Sequence, residues 1–254
     1  MLTKRYFIHL AYKGTSFHGW QLQENAPTIQ QSITIGLQTL LNKEINVTGC
    51  GRTDTGVHAS NFYAHFDINR EIFDEERIDL CFKLNRFLPP EIAVFSIDPV
   101  KETAHARFDA LSRTYKYYLN RRKNPFIDDY SFYLYGELDI ELMNKAATEM
   151  MTYADFTSFS KLHTQTKTNN CKIFHAKWDE DGRKLIFTIK ADRFLRNMVR
   201  AIVGTLLEVG QRKITIEEFK DIIERRNRNE AGYSVPAKAL FLEAVEYPDS
   251  IFIK

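Results

Sequence analysis

Residues 51–59 read Gly51-Arg52-Thr53-Asp54-Thr55-Gly56-Val57-His58-Ala59, one carboxylate between two glycines with Arg52 and His58 beside it. Glycines let a loop take positive φ and approach a ligand closely. A carboxylate serves as a nucleophile or a base only where its surroundings keep it ionised and aimed. Alone, a Thr-Asp-Thr-Gly run would equally well be a tight turn in which Asp54 bonds its own backbone. A partner cation could come from residues 193–200, RFLRNMVR, where Arg193, Arg196 and Arg200 share a stripe if the run is helical. Such a stripe is either a wet face or a source of one long guanidinium that grips a carboxylate bidentately. In residues 113–118, RTYKYY, period two puts Tyr115 and Tyr117 on one strand face and Lys116 on the other. Strand tyrosines pack cores, or on a basic sheet stack an extruded base.

The elements that must position these groups follow from periodicity. Residues 6–12 predict a strand. Thr28 opens a helix with a capping box completed by Gln31, and Ile29, Ile33, Leu37, Leu40 and Leu41 share its apolar face. Strands at 45–50 and 61–66 flank the glycine loop, a helix at 74–87 stops before Pro89 and Pro90, and a strand follows at 92–97. That order, β-α-β-β-α-β, is ferredoxin-like. A looser repeat follows: strand 113–120, helix 140–151, strands 172–178 and 184–190, and helix 194–209 stopped by Gly210. A helix from Thr215, boxed by Glu218, and a strand at 240–247 complete it. The expected fold is α+β: two ferredoxin-like halves, 1–104 and 105–254, sharing a mixed, mainly antiparallel sheet with a central cleft.

Composition removes other classes. The 254 residues are 44% hydrophobic and 27% charged with only 11 Gly and 7 Pro, which excludes collagen-like, low-complexity and disordered chains. No apolar run approaches the roughly 20 residues of a membrane span, and the N-terminus MLTKRYFIHL lacks a signal-peptide apolar region, so the cytoplasm is the expected address. Cys50, Cys81 and Cys171 stand far apart and are expected to be buried thiols. There is no phosphate-binding GxxxxGK[ST], no GxGxxG, no HExxH and no nucleophile elbow, and the seven histidines lack metal spacing. Metal, nucleotide and redox cofactors are therefore not expected. Net charge is only +2, but residues 101–123 hold seven bases against two acids, and residues 161–200 hold ten against four. Residues 67–79 run the other way, with six acids and two bases. Local clusters of Lys and Arg can track a polyanion, because each phosphate contact releases counterions.

Taken together, these motifs resemble the TruA family of tRNA pseudouridine synthases over roughly residues 6–248. The strongest match is GRTDTGVHA at 51–59. Supporting it in order are Tyr12-Lys13-Gly14-Thr15 with Gly19-Trp20-Gln21, residues 85–89, His105-Ala106-Arg107-Phe108, residues 113–117, Asp155-Phe156 and residues 194–204. The resemblance implies that Asp54 is the catalytic aspartate, Arg52 helps extrude the target base, Tyr115 stacks on it, and Arg200 is the ion-pair partner of Asp54. It implies that His58 and Arg107 contribute to substrate binding and that Leu240 or Leu242 lines the uracil pocket. It further implies a homodimer acting on uridines 38, 39 and 40 of the tRNA anticodon stem-loop without any cofactor. Three positions depart from the family pattern: Ala104 for an aromatic, Cys171 for an arginine and Ala239 for a glycine. The competing readings are a non-catalytic tRNA-binding or folding protein and an RNA glycosidase, and the latter lacks a second carboxylate beside Asp54.

Overall fold

Tyr6, Ile8, Leu10 and Tyr12 recur at period two and are buried along strand β1 (Lys4–Tyr12). Phe7, on the opposite face, is covered as well, with its ring 5.2 Å from Tyr247 and 6.0 Å from Phe252. The computed structural model describes residues 3–161, 168–182 and 184–253. Its contacts divide into two units, Met1–Leu111 with Leu242–Lys254, and Ser112–Phe241. Both mix helices with antiparallel strands, so the chain is α+β.

In the first unit, α1 (Ile29–Leu41) buries Ile29, Ile33 and Leu37. Half of the expected capping box forms, the Thr28 hydroxyl accepting the Gln31 N–H at 3.3 Å. Strand β2 is only Val47–Gly49, shorter than its apolar run suggested, and pairs with β3 (His58–Ile68). Helix α2 (Asp74–Phe87) spans the predicted residues and carries Asp74, Glu75 and Glu76 in its first turn, where the helix dipole favours negative charge. It ends because Pro89 holds Leu88 extended, at ψ 154°. Strand β4 (Ile92–Val100) completes the antiparallel order β4-β1-β3. The Asn85 carboxamide clasps it, accepting the Val94 N–H at 2.8 Å and donating to the Val94 carbonyl at 2.7 Å.

The second unit contains β5 (Ser112–Asn120), a two-residue β6 (Phe132–Tyr133), α3 (Ile140–Met150), β7 (Ile173–Asp181), β8 (Lys184–Ala191), α4 (Met198–Gly210) and α5 (Ile216–Glu224). Its strands run β5-β8-β7, with β6 parallel to β5. Asn144 of α3 repeats the clasp on the Trp178 backbone, at 2.7 and 3.0 Å. The capping box of α5 forms in full, as Thr215 and Glu218 predict. Strand β9 (Leu240–Glu246) crosses the boundary between the units.

Three expectations need correction. The helix expected from residue 194 starts at Met198, because Asn197 sits in the left-handed region at φ 68°. Arg193 and Arg196 therefore lie ahead of α4 and share no helical stripe with Arg200. Gly210 is no helix stop, since it is the last residue of α4 and the left-handed position falls on Arg212. What Gly210 does is pack closely on α3, where a Cβ would come 2.4 Å from the Met143 sulfur. The contacts divide the chain after Leu111 and again after Phe241. Ala106 N–H donates to His65 Nδ1 in the first unit, and the chain from Leu242 onward also belongs there. Finally, Cys50 and Cys171 are buried thiols, but Cys81 is only half-buried.

Candidate active site

Asp54 opens a four-residue turn closed by the Val57 N–H on the Asp54 carbonyl at 3.1 Å. Gly56 takes φ 79° at the position a type II turn reserves for glycine. The carboxylate-bearing residue is half-buried, while Thr53, Val57 and His58 around it are buried.

What fixes this loop is the stretch between β1 and α1. The Tyr12 hydroxyl and Thr53 Oγ1 share a hydrogen bond of 2.9 Å. Gly14 N–H donates to His58 Nδ1 at 3.1 Å, and a Cβ on Gly14 would lie 2.0 Å from the Val57 carbonyl oxygen. Gly19 adopts φ 84°, and a Cβ there would lie 2.3 Å from the Thr53 carbonyl oxygen, which accepts the Trp20 N–H at 3.3 Å. The Trp20 indole is buried against Phe62 with ring centroids 4.1 Å apart, and Gly49 of β2 leaves room for it. Arg52 is exposed, its Nε donating to Gln21 Oε1 at 3.0 Å. Tyr12-Lys13-Gly14-Thr15 and Gly19-Trp20-Gln21 carry the family resemblance with no role implied for them. The glycine pair Gly14 and Gly19 was the signal that another backbone approaches closely.

His58 is 1% exposed, and with Nδ1 accepting from Gly14 it props the loop from inside. Arg107 is exposed, its guanidinium 5.6 Å from the centre of the Phe108 ring. The turn carrying it is capped internally. His105 Nδ1 accepts the Arg107 and Phe108 N–H groups at 3.1 and 3.3 Å, and Asp109 Oδ2 accepts the His105 N–H at 2.7 Å. Beneath lies His65, its ring 4.7 Å from that of His105. Burial, reinforced by the nearby Arg5 charge, lowers the His65 pKa to about 4. Arg5 itself grips Asp67 through two 2.7 Å bonds, and this hydrogen bonding holds the Asp67 carboxyl below its ordinary value.

In the second unit Tyr115 lies on β5 opposite Ile189 of β8, half-buried, with its ring edge-on to Phe194 at 5.1 Å. Arg200 is in the first turn of α4, half-buried, and its Nε donates to the Val235 carbonyl at 2.7 Å. Leu240 and Leu242 are both buried in β9. Asp54, Arg52, His58, Arg107 and Leu242 thus belong to the first unit, and Tyr115, Arg200 and Leu240 to the second. Of the family departures, Ala104 is buried with its carbonyl accepting from Arg5 at 2.8 Å. Ala239 is also buried, and the Cys171 thiol is buried and pushed up to about 12 by desolvation. Among the described residues, no group of three or more His, Cys, Asp or Glu side chains is arranged to hold a metal ion, and no helix is long and apolar enough to cross a membrane.

Residues 146–248 match a family model described as tRNA pseudouridine synthase. A Bacteroides fragilis protein named tRNA pseudouridine synthase A is 54% identical over 253 residues, covering 99% of this chain and 100% of its own. Proteins of the same name from Parabacteroides distasonis and Clostridium acetobutylicum are 55% and 41% identical, covering 98% and 94% of this chain and 98% of each relative.

Proposed function

Since the chain belongs to the tRNA pseudouridine synthase A family, an isomerase family, we propose that it converts uridine to pseudouridine in tRNA with Asp54 as the catalytic carboxylate. The observation that carries the reading is the brace on residues 53–58. An acidic residue on a glycine turn, tied to a second segment by Tyr12, Gly14, Gly19 and Trp20, is held in one place before substrate arrives.

The reaction breaks the C1′–N1 bond, turns the uracil, joins C5 to C1′, and moves the C5 proton away while N1 gains one. It is redox-neutral. The uridine leaves its stack first, at a cost of a few kcal/mol that phosphate contacts from the basic segments offset. In this reading Arg52 and Arg107, both exposed, contact the extruded nucleotide or its flanks. Tyr115 stacks on the uracil and its hydroxyl takes the C5 proton. Arg200 keeps Asp54 ionised, and Leu240 or Leu242 bounds the uracil. His58 acts behind the loop, through Gly14. Asp54 attacks C1′, attacks uracil C6, or removes a sugar proton to give a glycal, three routes that share the same requirement for an ionised, fixed carboxylate. The same reading extends to two ferredoxin-like halves sharing a sheet around a cleft, to a cytoplasmic homodimer, and to uridines 38, 39 and 40 of the anticodon stem-loop as targets.

Replacing Asp54 with Asn keeps the shape and removes the charge. Tritium release from tRNA carrying C5-labelled uridine is expected to vanish in Asp54→Asn while tRNA affinity stays within a few-fold. Retained release would end the assignment.

A further inference from the structure

Residues 231–236, Ala231-Gly232-Tyr233-Ser234-Val235-Pro236, lie against the first turns of α4 without forming a helix or strand themselves. Two glycines permit the approach. A Cβ on Gly204 would sit 1.9 Å from the Tyr233 carbonyl oxygen, and one on Gly232 would sit 2.9 Å from the Thr205 nitrogen. Hydrogen bonds then pin the segment. Gly232 N–H donates to Thr205 Oγ1 at 2.9 Å, and Ser234 Oγ accepts from Asn197 Nδ2 at 2.6 Å and from Arg228 Nη2 at 2.9 Å.

The pinned segment grips Arg200 twice. Its Nε donates to the Val235 carbonyl at 2.7 Å, and its own carbonyl accepts the Val235 N–H at 3.3 Å. With Nε committed, the guanidinium is held in one plane, so whatever meets its terminal nitrogens meets them in a fixed direction. One residue further on, the Pro236 carbonyl accepts the Tyr117 hydroxyl at 3.1 Å. Proline fixes φ here at −52°, which removes one of the two rotations that separate the Val235 and Pro236 carbonyls. Tyr117 is completely buried on β5, and burial pushes its phenol far above the ordinary range, so the hydroxyl stays a donor.

We propose that Tyr117 is a positioning residue for Arg200, acting through the Val235–Pro236 junction to set the plane of the guanidinium. The proposal rests on the reading of Arg200 as the cation that keeps Asp54 ionised. A purely structural tyrosine would fill core volume with its ring, and phenylalanine fills that volume equally well. The hydroxyl is therefore the part to remove.

The experiment measures single-turnover pseudouridine formation at saturating tRNA, together with tRNA affinity, for Tyr117→Phe, Arg200→Lys and the double variant. Arg200→Lys is expected to be severely impaired. Tyr117→Phe is expected to be slower by about ten-fold with affinity within two-fold, the cost of a misaligned rather than a missing group. A lysine at 200 has no Nε–H to give Val235, so adding Tyr117→Phe to Arg200→Lys is expected to cost nothing further, within two-fold. A Tyr117→Phe rate equal to wild type beside an impaired Arg200→Lys overturns the proposal and leaves the role of Arg200 standing. Losses that multiply in the double variant overturn it as well. A near-normal Arg200→Lys rate instead removes the reading of Arg200 itself, and the proposal with it.

Discussion

At Gly19 the exchange of one hydrogen for a methyl group is enough to move the proposed catalytic loop. Alanine there would have to adopt φ 84° and place its Cβ 2.3 Å from the Thr53 carbonyl oxygen. Backbone cannot swing aside as a side chain does, so Thr53 and the adjoining Asp54 must shift. Gly19→Ala is expected to slow single-turnover isomerisation by about a hundred-fold and to destabilise the fold by roughly 1–3 kcal/mol, read by a rate assay and a denaturant melt. An unaltered rate would mean that the loop tolerates displacement. His65 makes a prediction of a different kind, because folding lowers its pKa from 6.5 to about 4. Above pH 6.5 the ring is neutral in both states and nothing is lost. Between 6.5 and 4 the unfolded chain binds a proton that the folded chain refuses, so stability falls across that window. His105, also lowered by burial, adds to the decline, whereas Asp67, whose carboxyl is lowered, contributes its loss only at more acidic pH. The melting temperature is thus expected to drop from pH 7 to pH 5 in wild type and less steeply in His65→Gln, which retains an acceptor for the Ala106 N–H. Equal slopes would exclude His65 as the source.

Elements whose boundaries are written in their own residues were readable, and elements bounded by distant partners were not. Thr215 and Glu218 specify the start of α5 by exchanging hydrogen bonds three residues apart, with Thr215 Oγ1 accepting the Glu218 N–H at 3.1 Å and Glu218 Oε2 accepting the Thr215 N–H at 2.7 Å. Thr215→Ala is expected to cost about 1 kcal/mol in denaturant unfolding and to leave the isomerisation rate unchanged. A larger loss, or a slower rate, would mean that α5 supports more than itself. The end of α2 at the proline pair was legible for the same local reason. The start of α4 was not. The apolar spacing of Phe194, Met198 and Ile202 continues through residues 194–197, yet the Arg196 carbonyl accepts the Lys161 N–H at 3.0 Å and the Asn197 side chain reaches Ser234. Both partners lie more than thirty positions away along the chain and leave no periodic trace. The candidate site divides in the same way. GRTDTGVHA announced the turn through its glycines, while the brace from Tyr12, Gly14 and Trp20 exists only after β1 and β3 pair.

Charge counted along the whole chain overstates what remains to meet a polyanion. Of the seven bases in residues 101–123, Arg113 donates to the Asp192 carbonyl at 2.8 Å and Arg121 to the Gly136 carbonyl, so both hold the second unit together. Much of the acidic run at 67–79 is likewise committed within the protein, serving the first turn of α2 and pairing Asp67 with Arg5, Glu76 with Arg70 and Asp74 with Arg77. It therefore says little about repulsion of RNA. What is left in the basic segment includes Arg122 and Lys123, both exposed where β5 has just ended. If they meet tRNA phosphates, each contact releases counterions and steepens the fall of affinity with salt by about one unit in the double-logarithmic plot. Replacing both with alanine is expected to flatten that plot by about two units and to weaken binding of different tRNAs alike, because phosphate contacts carry no sequence information. The rate at saturating tRNA should not change, since neither side chain is assigned to the reacting base. An unchanged salt slope would show that Arg122 and Lys123 lie off the polyanion track, and the same double-alanine test would then move to Lys172 and Lys190 in the other basic segment.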